Sequence, residues 1–224
     1  MIPWETIDQA TVPGRDSYLT LRKRDTEYSI RTIETELMNS RVHGSEDALA
    51  ELTCKRLDNR PGCNILIGGL GMGFTLAAAL KQSGPDTRII VSELIPAVVM
   101  WNRRYLGHLA GHPLDDARVT VKTEDVIQTI SDRPAAWDAI LLDVDNGPEG
   151  LTQQANDRLY SLSGLKKSWQ ALTDKGILAI WSSKNDPAFT RRLKQSRFNV
   201  QTVGVRARKS GKGSRHTIWL AQKT

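Results

Sequence analysis

The sequence predicts an α/β fold with a mainly parallel sheet, closed by an antiparallel C-terminal hairpin and preceded by a small β-rich piece. Three observations carry that expectation. From residue 64 onward, short apolar runs alternate with helical stretches, the pattern of a parallel sheet covered on both faces. The chain then ends on two strand-like runs around the turn-rich "KSGKGS". Ahead of the sheet, residues 17–41 show short alternating runs, which read as strands.

Taken in order, "YLTLRKR" and "YSIRTIE" flank the polar "DTE" as a β-hairpin, and "TELMNSRV" supplies a third strand. "SEDALAELTCKRL" is a helix with Ser45 as its cap, Glu46 and Asp47 in its first turn and Lys55 and Arg56 in its last. We therefore expect a β-rich region over 1–44 and a catalytic domain over 45–224. Within the latter, "NILIGG", "TRIIVSEL", "RVTVKTED", "AILLDVD" and "GILAIWSS" are strands, and "AVVMWNRRYLGHLA" and "LYSLSGLKKSWQAL" are helices. "FNVQTVGVRAR" and "HTIWLAQ" form the closing hairpin. Five βα units finished this way give the layout of a class I methyltransferase-type, Rossmann-like sheet.

Composition narrows the function classes. A hydrophobic fraction of 39% and a charged fraction of 25% over 224 residues are those of one soluble globular domain. No apolar run reaches the ~20 residues that span a bilayer, and the N-terminal "MIPWETIDQA" lacks the features of a signal peptide. Cys54 and Cys63 have no metal spacing and make no disulfide framework. These features point to a cytoplasmic protein with no membrane partner and no bound metal. The net charge of +6 is concentrated at the end, because residues 187–224 hold ten Lys or Arg and no acid. A basic segment of this kind is either a solvated edge or a contact for nucleic acid.

The densest signal is "NILIGGLGMGFTLAAAL", with Gly68, Gly69, Gly71 and Gly73 between a strand and a helix. Ligands of open α/β sheets lie beyond the carboxyl ends of the strands, where glycine lets a backbone approach closely. A nucleoside-triphosphate loop needs Lys where Phe74 stands. A dinucleotide loop needs its third glycine one residue later than Gly73. S-adenosylmethionine, or its decarboxylated form, needs no phosphate clamp. It needs a carboxylate after the second strand for the ribose, which Glu93 supplies, and an acid after the third for adenine, which Asp125 or its neighbour Glu124 supplies. Asp125 reads equally well as a helix cap.

"NILIGGLGMGF", "VSELIPAVV", "WDAILLDVDNGPEG" and "KGILAIW", in this order and spacing, resemble the spermidine synthase (polyamine aminopropyltransferase) family. The resemblance implies that Glu93 holds the ribose, Asp125 the adenine, and that Asp143 is the active-site aspartate that binds and helps deprotonate an attacking amine. It also implies a homodimer. Asp145 and Asn146 follow in the loop that the resemblance places over the substrate. His43 and Glu46 stand where the family has a Tyr-His-Glu motif, and Trp181 is placed to wall the pocket. Gly71 departs from the family, whose loop has an aspartate there facing the aminopropyl end of the decarboxylated cofactor. Loss of that carboxylate removes a repulsion against the carboxylate of ordinary S-adenosylmethionine. The expectation is therefore a methyltransferase acting on a small polar or amine-bearing acceptor. The alternatives are aminopropyl transfer, RNA methylation through the basic hairpin, and a cofactor-binding protein without activity.

Overall fold

The computed structural model describes residues 2–14, 17–58, 60–144, 158–208 and 213–224. Four short strands, β1 (Glu5–Thr11), β2 (Tyr18–Arg24), β3 (Glu27–Arg31) and β4 (Glu36–Asn39), form an antiparallel sheet in that order. Alternation in β2 and β3 turns Leu19, Leu21, Tyr28 and Ile30 inward. The hairpin and the strand after it follow the sequence pattern. β1 has no such pattern, because Ile7 and Ala10 alone of its residues pack on the core and a bulge between Thr6 and Asp8 breaks its alternation.

The main sheet has seven strands: β5 (Asn64–Gly68), β6 (Arg88–Ser92), β7 (Val119–Lys122), β8 (Trp137–Leu142), β9 (Leu172–Ser182), β10 (Phe198–Arg206) and β11 (Arg215–Lys223). Their order is β10-β11-β9-β8-β5-β6-β7. β5 to β9 pair in parallel, and β11 runs antiparallel to both β9 and β10. The order reverses between β5 and β8, so a crevice opens beyond Gly68 and Leu142, which face each other across that pair.

Period-two side-chain alternation divides the interior. Ile65, Ile67, Leu141 and Ala179 face one layer, made of α1 (Gly44–Arg56), α2 (Phe74–Gln82), α3 (Pro96–Trp101) and the N-terminal sheet. Leu66, Ile140, Leu142 and Ile180 face the other, made of α4 (Val126–Asp132), α5 (Leu162–Ala171) and α6 (Pro187–Gln195). None of the helices is long and apolar enough to cross a membrane, among the described residues.

Two local expectations are corrected. Ser45 does not cap α1: His43 occupies the N-cap, its side chain making no bond to the helix's free N–H groups, and Ser45 is buried inside the first turn. The helix expected over "AVVMWNRRYLGHLA" is α-helical only as far as Trp101, then widens to a π-turn over Asn102–Leu106 and tightens to a 3₁₀ turn over Gly107–Leu109. Asn102 accounts for the change. Its side-chain amide donates to the Val98 carbonyl at 2.9 Å, in competition with the helical backbone ladder.

Candidate active site

The glycine loop runs from the end of β5 into α2, and the fold requires its glycines. Gly69 has φ +88°, and a Cβ there would strike the Asp143 carbonyl at the end of β8. Gly71 has φ +52°, and its Cβ would lie 3.1 Å from the thioether of Met38. That contact brings β4 of the small sheet directly over the loop. Gly73, also left-handed, is the N-cap of α2.

Glu93 follows β6 and is buried. One of its carboxylate oxygens accepts from Leu70 N at 2.8 Å and the other from Ile95 N at 2.9 Å. The carboxylate thus fastens the glycine loop from within. Asn102 fastens the loop from the other side, donating to the Gly71 carbonyl at 2.7 Å. Of the two acids after β7, Glu124 is engaged by Thr129 at 2.6 Å and Lys122 at 3.1 Å, which lower its pKa. Asp125 caps α4 by accepting from Ile127 N at 2.9 Å.

A pocket of roughly 650 Å³, its solvent-open mouth included, opens beside Gly71. Glu46 from α1 and Asp143 from the end of β8 both line it, between walls of Met38, Phe74 and Trp181. Thr75 lies between the two acids. Its hydroxyl is 2.5 Å from Asp143 Oδ2 and 3.4 Å from the Glu46 carbonyl. Burial raises the pKa of Asp143 to about 6, against the pull of the Thr75 hydroxyl. Burial, and then the charge of Asp143, raise Glu46 to about 7, against the Ser45 hydroxyl. The charge of Asp143 thus adds to burial in keeping Glu46 protonated toward neutrality.

The structure therefore brings Glu46, Gly71, Asp143 and Trp181 to one pocket. His43 stands behind it, its ring stacked on Phe74 at 4.0 Å and its Nδ1 2.9 Å from Asp47 Oδ2. Asp145 and Asn146 lie outside the described residues, as does the tip of the basic hairpin at 209–212. Sequence reasoning missed Thr75, Met38 and Asn102. Their partners are distant in the chain, and no local spacing announces them.

A seven-stranded sheet in this order, with a glycine loop at its switch point and acids at the ends of the neighbouring strands, defines a class I methyltransferase-like fold with a crevice at the switch point. A family model described as the spermine/spermidine synthase domain matches residues 55–205, about two thirds of the sequence, and the chain belongs to that family. The solved structure of a spermidine synthase in complex with the transition state analogue AdoDATO is similar over 98% of this chain and 72% of its own, with 17% identity and a TM-score of 0.75. Spermidine synthase from Thermotoga maritima is similar over 98% and 73%, with 18% identity and a TM-score of 0.76. A probable spermidine synthase from Corynebacterium glutamicum is similar over 98% and 80%, with 14% identity and a TM-score of 0.67. No curated protein gave a sequence match.

Proposed function

We propose that this chain is an aminopropyltransferase, using decarboxylated S-adenosylmethionine and an amine acceptor. One observation carries the reading: two carboxylates, Glu46 and Asp143, line the pocket that opens beside the glycine loop. An ammonium-bearing reactant fits a pair of acids, whereas the carboxylate of ordinary S-adenosylmethionine would be repelled by them. The argument for methyl transfer from Gly71 loses its support at the same place. A Cβ at Gly71 would lie 3.1 Å from the Met38 thioether, so the methionine fills part of the room that an aspartate would need. Family membership favours aminopropyl transfer as well.

The decarboxylated cofactor supplies an electrophilic carbon on a sulfonium, whose thioether leaves without an acid. Glu93 would hold its ribose and Asp125 its adenine, while the Glu93 bonds to Leu70 N and Ile95 N keep the loop in shape. What the chain adds at the acceptor is alignment and proton removal. Alignment is worth about 7–11 kcal/mol and a positioned base about 3–5 kcal/mol, so the walls of the pocket matter more than the base. The base is still needed, because a primary ammonium of pKa about 10.4 is no nucleophile. An ordinary carboxylate lies about six pKa units below such an amine. Glu46 at about 7 and Asp143 at about 6 narrow that gap to about three and a half to four and a half units.

Parallel calorimetry with both cofactors tests the reading. The decarboxylated form is expected to bind at least about tenfold tighter, a difference of about 1.4 kcal/mol. Preference for ordinary S-adenosylmethionine would return the assignment to methyl transfer.

A further inference from the structure

Ser45 is fully buried in the first turn of α1, yet it makes no capping bond. Its hydroxyl lies 2.6 Å from Glu46 Oε2 on one side and 2.8 Å from His216 Nδ1 on the other. His216 comes from β11, at the far end of the chain, and is only partly buried. The edge of Trp181, a wall of the pocket, packs against its ring at 4.9 Å.

A serine hydroxyl has one proton, so the row Glu46–Ser45–His216 has two polarities. With Glu46 ionised, His216 Nδ1–H donates to Ser45, and Ser45 donates to Glu46. With Glu46 protonated, the acid donates to Ser45, and Ser45 donates to the bare Nδ1. We propose that this row is the outlet for the reaction proton, carrying it from the acid pair in the pocket through Ser45 to His216 and water. The proposal rests on the reading of the chain as an amine-accepting transferase.

The steps balance. As the amine attacks, its N–H bond breaks, the electron pair stays on nitrogen, and the proton goes to the acid pair. The Glu46 O–H bond then breaks as a new O–H bond forms on Ser45, whose original proton moves to His216 Nδ1. The imidazolium gives its Nε2 proton to water, and exchange of the ring tautomer with water resets the row. The charged groups acting on Glu46 are Asp143, which raises its pKa and favours the loaded state, and His43, which lowers it. On His216, burial alone shifts the pKa, downward, which favours release of the proton to water.

The test has two readouts. The first needs no turnover: the NMR titration of the His216 ring in the wild type, in Glu46→Gln and in Ser45→Ala. The midpoint is expected to move on Glu46→Gln, and that sensitivity to residue 46 is expected to vanish in the Ser45→Ala background. A His216 midpoint indifferent to Glu46→Gln overturns the relay. The second is turnover with decarboxylated S-adenosylmethionine and a diamine. His216→Ala is expected to lose at least about tenfold in kcat with KM unchanged, and added imidazole is expected to restore it, but not in Ser45→Ala. A His216→Ala enzyme with unchanged kcat and pH profile also overturns the relay. A wild-type enzyme that turns over with neither cofactor overturns the aminopropyl reading instead, and the relay is then decided by the titration.

Discussion

At the scale of single residues, Asp143 joins function to instability. Its pKa of about 6 lies above that of the unfolded chain, so the folded protein binds more protons between about pH 4 and 6. Stability conferred on the protonated form is lost as pH rises through that window. Asp143→Asn should therefore be more stable than the wild type by roughly 1–3 kcal/mol at pH 8, and show no gain near pH 3.5. The same variant should bind cofactor normally and lose transfer. Thermal melts at the two pH values, with turnover at pH 8, check this, and intact turnover would remove Asp143 from the chemistry. The position of Asp143 at the end of a strand of the parallel sheet was legible through the family resemblance of "WDAILLDVDNGPEG". Its raised pKa was not, since burial by Phe74 and Trp181 and the nearness of Glu46 arise from segments far apart in the chain.

At the scale of elements, the strands were readable and the irregular helix was not. Apolar runs such as Ile65–Ile67 and Ala139–Leu142 admit one reading, being buried on both faces of a sheet. The π-turn over Asn102–Leu106 depends on one side chain reaching both the Val98 and the Gly71 carbonyls. Helical periodicity carries no trace of such a bond. The turn couples α3 to the glycine loop, so its loss should be felt by the cofactor. Asn102→Ala is expected to cost about 1–3 kcal/mol of stability and to weaken cofactor binding, with kcat at saturation changed little. Chemical denaturation and calorimetry on one preparation check both parts. Unchanged affinity would show that Glu93 holds the loop by itself.

At the scale of the whole molecule, the sheet divides its labour between its two ends. Beyond the carboxyl ends of the strands lie the glycine loop and the acid pair. At the opposite end, Asp138 at the start of β8 accepts from Arg60 at 2.8 Å, Asn64 N at 2.9 Å and Thr173 at 3.0 Å. Asp138→Ala leaves those donors without their acceptor and should cost roughly 2–4 kcal/mol, while KM and kcat below the melting point stay as they are. A specific loss of kcat would mean that the two ends communicate. The small N-terminal sheet is tied in by Asp8, which accepts from the Trp101 indole at 2.8 Å, and by Met38 over the loop. Its strands were visible in the sequence. Its contribution of a pocket wall was not, because alternation tells which face is buried and never against what.

The contact between Met38 and Gly71 also constrains how this chain can change over generations. Aspartate is among the few residues that tolerate a left-handed backbone, so φ +52° alone does not bar it from position 71. The thioether does. Gly71→Asp alone should be destabilising and Met38→Ala alone should leave a void, while the double variant should recover part of both losses, a coupling of about 0.5–3 kcal/mol in a double-mutant cycle. An acid at position 71 is therefore expected to need a second substitution at position 38 to be accommodated without loss of stability. Relatives that carry an acid at the loop position are accordingly expected to carry a smaller side chain on the strand above it.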